Sequence, residues 1–205
     1  LDGLSASQVG GKAAMALTIV VADAVTAAQG STITLATSAT TVDFSANGIS
    51  DAFGNVTDGT AIHANVGRID AKDADVNITV TGTQNTVSDA NVTAINALQA
   101  ATTGTVTASL DGNKAQLTGL SASGLGGKAA MALTIVVADV VTAAEGASIA
   151  DATNIAASGV DFSANGVSDS FGNVTDGTNI HANVGKIDAK DADVNITVTG
   201  TQNTV

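Results

Sequence analysis

Two short stretches concentrate the oxygen chemistry of this chain. IDAKDADVN, from Ile69, sets Asp70, Asp73, Asp75 and Asn77 close together, and its second copy sets Asp188, Asp191, Asp193 and Asn195 in the same order. Alternating carboxylates and amides on a loop are hard donors, and the ion they suit is calcium, which takes about 6–8 oxygens. D-x-D-x-N also opens an EF-hand loop, but Ile78 stands where that loop requires Gly and Gln84 where it requires a bidentate acid. An EF-hand is excluded, and a calcium site of another kind remains. The competing reading is a helix C-terminal turn whose aspartates are solvated and partly paired with Lys72 or Lys190. A second stretch, DFSANGISDAFGNVTDG, offers Asp43, Asn47, Asp51, Asn55 and Asp58 and returns from Asp161. Its Asn-Gly, Gly-Asn and Asp-Gly steps are turn signals before they are ligands.

Other chemistry is thin. His63 and His181 occupy equivalent places 118 residues apart, and neither has a second His or a Cys nearby. A half-exposed helix histidine explains them better than a metal ligand. GGKAAM, at Gly10 and Gly126, lacks the spacing and the Ser/Thr of a phosphate loop. No Ser/His/Asp grouping recurs, so the chain reads as a non-enzyme. Thr79, Thr81, Thr105 and Thr107 alternate with apolar residues and would point outward from two adjacent strands. Such a hydroxyl face could bind ice, a cell-surface glycan or a neighbouring molecule. Thr134, Val136 and Ala138 interrupt it with apolar groups, which favours lateral protein packing.

The elements that would position these residues follow from repetition. LSASQVGGKAAMALTIVVADAVTAA from Leu4 returns with few changes from Leu120, and a 45-residue block from Asp43 returns from Asp161 with four changes. The repeat of 118 residues divides the chain into a partial unit, residues 1–87, and a full unit, residues 88–205, with no linker between them. Both ends fall inside a unit, which predicts a window cut from a longer tandem array. Alternating segments anchored at Val76, Val106, Leu133, Val160 and Val194 are spaced by 30, 27, 27 and 34 residues. Leu17 and Val42 supply earlier anchors. Between them, SDANVTAINALQAA, with Ser88 and Asp89 as caps and Val92, Ile95 and Leu98 beyond them, and TDGTAIHANVGRIDA, with Ile62, Val66 and Ile69, show apolar residues at helical spacing. The fold expected is a β-rich solenoid of parallel β or mixed β/α coils of about thirty residues, four per unit. Tandem β-sandwich domains are the alternative.

Composition agrees with a structural role. Nineteen acids against seven bases give a net charge of −12, a poor match for nucleic acid. Eighteen of those acids are Asp, a residue of turns, caps and calcium loops. Cys, Pro, Trp and Tyr are absent, while 44% of residues are apolar, too many for a disordered acidic tail. MALTIVVA, at Met15 and again at Met131, is far short of the ~20 residues that span a bilayer. Membrane insertion is not expected.

The segment VSDANVTAINALQAATTGTVTASLDG resembles units of giant secreted bacterial proteins: calcium-dependent adhesins, S-layer-like proteins and exoproteins related to the haemolysin type. The resemblance is one of style over most of the chain, and the G-G-x-G-x-D nonapeptide is absent. It implies a secreted, cell-surface location and calcium as the cofactor. The function expected is a structural module of an extracellular fibre, surface layer or matrix, self-assembling end to end and laterally into a filament. An adhesin segment that binds ice or glycan through its threonines is the rival.

Overall fold

Caps start the main helices. Thr26 and Thr142 each accept from the N–H three residues on, and the Gln29 and Glu145 side chains bond back to the cap N–H. These reciprocal boxes satisfy donors that the first turn leaves open. Ser88 and Asn91 close the same loop ahead of the longest helix. His63 and His181 cap theirs differently, accepting through Nδ1 from the N–H of Asn65 and Asn183.

The computed structural model describes Leu4, Ala6 and residues 13–44 and 46–200. Its first half runs α1 (Ala27–Leu35), β1 (Ile49–Ala52), α2 (Phe53–Val56), β2 (Thr57–Asp58), β3 (Ala61–Ile62), α3 (Ala64–Asp70) and β4 (Ile78–Gln84). Then come α4 (Asp89–Ala101), β5 (Thr105–Gly112), α5 (Lys114–Leu117), β6 (Ala130–Val137) and α6 (Ala143–Asp151). The chain continues through β7 (Val160–Asp161), β8 (Val167–Ser170), α7 (Phe171–Val174), α8 (Ala182–Asp188) and β9 (Ile196–Thr199).

The central sheet has five strands in the order β1-β4-β5-β6-β7, all parallel. Ile49 pairs with Ile78, Ile78 with Val106, and Val106 with Met131. The register slips between Thr79 and Thr83, where β4 carries an irregularity against β5. β8 and β9 form a second parallel pair, with Val167 opposite Ile196. β2 and β3 form a small antiparallel hairpin.

Inward strand positions and helix faces share one core. Ile78, Val106, Leu110, Met131, Leu133 and Ile135 supply the sheet's side; Ile95, Leu98, Ile149, Ile69 and Ile187 supply the helices'. α1 packs on α3, and α6 on α8, without room for a side chain at the crossing. A Cβ on Gly30 would lie 2.6 Å from Ile69 Cδ1, and one on Gly146 the same distance from Ile187 Cδ1.

The architecture is therefore an α/β domain, a parallel sheet flanked by helices. It is neither the expected β-rich solenoid of parallel β or mixed β/α coils nor the alternative, tandem β-sandwich domains. More of the described residues lie in α-helices than in strands, and those helices supply as much of the core as the strands do. A sandwich would need packed antiparallel sheets, whereas only the two-residue hairpin is antiparallel among the named strands. The anchors at Leu17 and Val42 yield isolated bridges, Val20 to Asp43 and Val25 to Ile49, rather than strands. ISDA and VSDS, read as turns, are instead strands β1 and β8. Position decides there: each is held edge to edge by a neighbour rich in Ile, Thr and Val. GGKAAM at Gly10 lies partly outside the described residues.

Candidate functional site

The aspartates of IDAKDADVN sit where α3 ends and the chain turns into β4. Ala71 closes the helix with its N–H on the Gly67 and Ile69 carbonyls, and the Lys72 and Asp73 N–H groups also meet Ile69 O, at 2.8 and 2.9 Å. This tight end turns the Asp73 side chain sideways. Its Oδ2 accepts from the Phe44 N–H at 2.6 Å, a residue 29 positions earlier, and the carboxyl is buried. The second copy repeats this contact: Asp191 Oδ2 accepts from Phe162 N at 2.6 Å. Phe44 and Phe162 are themselves fully buried, so each aspartate ties down the backbone of a core aromatic.

Burial pushes the Asp73 carboxyl up, to about 6, helped by the hydrogen bond and negative charge of Asp75 and opposed by the Phe44 N–H. Asp191 moves in the same direction, first through burial and then through Asp193. Two neighbouring carboxyls of this kind hold a proton between them more readily than two charges. Asp70, at the last position of α3, is also raised by burial, and its Oδ1 is enclosed without a hydrogen bond. Its twin Asp188 is exposed.

The four predicted ligands of each copy are only partly brought together. Asp73 and Asp75 share one groove with Asp43 and Lys72, and Asp191 and Asp193 share its counterpart with Asp161. Asn77 turns toward the next strand, where its Oδ1 accepts from Thr105 N at 2.8 Å; Asn195 is exposed. Among the described residues no three His, Cys, Asp or Glu side chains converge as a metal ion requires. Each groove is lined by three aspartates, of which Asp73 or Asp191 is already committed to a phenylalanine N–H. The lysines look elsewhere too: Lys72 donates to the Ala39 carbonyl, and Lys190 to Thr153 O and Ile155 O at 2.9 and 2.6 Å.

The threonine face is narrow. Ser50, Thr79 and Thr107 lie side by side across β1, β4 and β5, and the row then meets Ala132. Thr105 is opposite Ala130, and Thr81 is exposed on β4 where the register slips.

Sequence reasoning missed the commonest use of the polar residues, which is bonding the backbone of the neighbouring element. Asp51 Oδ2 accepts from Ala27 N and Asp169 Oδ2 from Ala143 N, both at 3.0 Å. These reach the first residues of α1 and α6, where open N–H groups favour an anion. Burial lifts Asp51, but Asn55 and the Ala52 and Ala27 N–H groups outweigh it and hold the carboxyl below its ordinary range. Asn173 and the Ser170 and Ala143 N–H groups do the same for Asp169. Asp139 accepts from Lys114 N, and Asn96 from Ser121 N. Buried threonines join in: Thr37 meets Leu17 N and O, Thr153 meets Leu133 N and O, and Thr102 meets Ala74 O and Val76 O. The signal was present in the sequence. Partners are 20 to 29 residues apart, close to the spacing of the strand anchors.

His63 and His181 serve as helix caps through Nδ1. Comparison with family models, curated proteins and solved structures finds no match to this chain.

Proposed function

We propose that this chain is a structural, self-associating module of an extracellular bacterial surface layer, fibre or matrix. One observation carries the reading. Both copies spend their Asp, Asn and Thr side chains on the same backbone ties, Asp73 to Phe44 and Asp191 to Phe162 above all. A duplicated set of ties makes two equivalent frameworks whose polar side chains are bonded to backbone. The exposed apolar residues add to this: Val136, Val140, Phe171 and Ile180 offer surface for lateral packing.

A net charge of −12 opposes close association of copies in water. Calcium enters the proposal as a bridge between acidic surfaces, with exposed Asp75, Asp188 and Asp193 as its first contacts. The test is light scattering and electron microscopy of the purified chain across concentration, in calcium and in chelator. Elongated assemblies that form in calcium and disperse in chelator are expected. Assemblies indifferent to chelator would remove calcium from the proposal, and a monomer at every concentration would remove the proposal itself.

A further inference from the structure

Strands β4 and β9 have the same sequence and different surroundings. VNITVTGTQNTV runs from Val76 and again from Val194. Each strand pairs on one edge with its own copy of ISDA, in the same register: Ile49 with Ile78, Val167 with Ile196. On its other edge β4 continues to β5. β9 is the outer strand of its pair.

The consequence is written in exposure. Ile78 and Val80 are 0% and 4% exposed, while Ile196 and Val198 are 40% and 44% exposed. The neighbouring hairpin follows suit. α4 packs on β3 in the first copy and half-buries Ile62, but its twin Ile180 is 61% exposed. Phe171 is exposed where Phe53 packs against the core. These differences fall on the surface that α4 and β5 cover in the first copy.

The polar groups of the surface tell the same story. On the first copy Thr103 N and the Thr102 hydroxyl meet Ala74 O, Thr102 also meets Val76 O, and Thr105 N meets Asn77 Oδ1. The second copy presents Ala192, Val194 and Asn195 in the same places. The same backbone positions therefore recur on the second copy, beside the exposed Ile196 and Val198.

We propose that the β9 face is a docking site for a segment of the Ser88–Gly112 type: a capped helix followed by a strand that adds in parallel to β9. The inference rests on the structural reading above and names the partner chemistry through which such a module joins its neighbour. The molecule itself names the occupant, since the identical face at β4 is covered by that segment, β5 pairing with β4 and α4 packing on β3.

The test lengthens the full chain after Val205 by a second copy of the Ser88–Gly119 sequence, with a shuffled version as control. Hydrogen exchange of the Ile196–Thr199 amides is the readout. These amides are expected to exchange at least about tenfold more slowly in the lengthened chain, as strand edges do when paired. Ile196→Asp or Val198→Asp in the lengthened chain should restore fast exchange, while β5 and β6 stay protected and report that the variant is folded. Exchange unchanged by the extension, or slowed equally by the shuffled one, would overturn the proposal. So would slowing in the unlengthened chain that grows with concentration, because a second copy would then be the occupant. Exchange is read on the monomeric fraction, so a failure to assemble, which would sink the structural reading, is separable from a failure to dock.

Discussion

The two copies of ISDA…VNITVT are a controlled experiment performed by the molecule on itself. Around β1 and β4 the strand pair is the start of a five-stranded sheet; around β8 and β9 it is an isolated pair. Local geometry is the same in both, down to the register and the Asp-to-Phe tie. Burial is not. Sequence and short-range hydrogen bonds therefore set the shape of the unit, and the α4–β5 neighbour sets whether its apolar face is a core or a surface. The other end shows the converse. Met131 and Leu133 are fully buried in β6 beside β5, while Met15 and Leu17, in the same local sequence, are half-buried.

The sharpest break of this comparison is a pair of twin substitutions. Ile78→Ala should cost about 4 kcal/mol, the scale of an emptied core position. Ile196→Ala should cost less than about 1 kcal/mol, since much of its apolar surface already meets water. Urea denaturation of the two variants checks this; equal losses would mean that β9 is covered in solution.

Next in size is the glycine before each strand. Gly48 has a φ of +64°, and a Cβ there would lie 2.1 Å from Asn77 O; at Gly166 the corresponding values are +68° and 2.3 Å from Asn195 O. Left-handed backbone costs a non-glycine residue about 1–2 kcal/mol before any clash is counted. Gly48→Ala should lose about 3 kcal/mol in all, because Asn77 is pinned by Thr105 and cannot retreat. Gly166→Ala should lose less, because Asn195, although its carbonyl accepts from the Val167 N–H at 2.8 Å, is exposed and lies outside the five-stranded sheet. Thermal unfolding of both variants measures the gap.

The fold was legible in its parts more than in its assembly. Alternation at Val106–Leu110 and Leu133–Val137 fell on β5 and β6, and the Ser88 cap fell on α4. The class was misjudged because strand periodicity is a local signal, while the helical segments between strands include Gly- and Thr-rich stretches such as AAQGSTITL with little helix signal of their own. The Thr26–Gln29 box was readable ahead of that helix and was overlooked, whereas the α3 surface it packs on is not visible in a window of residues. β1 and β8 were missed for the related reason that Ser and Asp dominate them and the neighbouring strand supplies their order. Within the candidate site the aspartates were found but not their partners, because Phe44 lies 29 residues from Asp73.

The aspartate tie itself predicts a pH effect. A carboxyl raised to about 6 in the folded state favours folding most below its ordinary value of 3.8, and that contribution fades as pH rises between the two. At pH 7 the ionised Asp73 is a burden that an amide would not carry. Asp73→Asn keeps an oxygen for the Phe44 N–H, so it should match the parent near pH 3 and exceed it at pH 7 by on the order of 1–2 kcal/mol. Asp191→Asn should move in the same direction, while Asp51 and Asp169, held low by their hydrogen bonds, contribute with the opposite sign and lose their effect only in acid. Stability curves at fixed ionic strength distinguish the two classes.

The smallest expected difference concerns the caps. Glu145 in the second copy stands where the first has Gln29, and both close a reciprocal box with a threonine. Glu145 alone adds an ion pair, 3.4 Å from Lys114, with both side chains more than a third exposed. Its carboxyl is held below the ordinary value first by the Thr142 N–H, with Lys114 only a later contributor. Exposed pairs of this kind contribute between about 0 and 1 kcal/mol. Glu145→Gln, which copies the first unit, should therefore change stability by less than about 0.5 kcal/mol and make it less dependent on salt. Glu145→Ala removes the box as well and should cost about 1 kcal/mol. If the glutamine variant lost as much as the alanine variant, the charge and not the box would be holding α6, and the two helices would be alike in shape but not in cause.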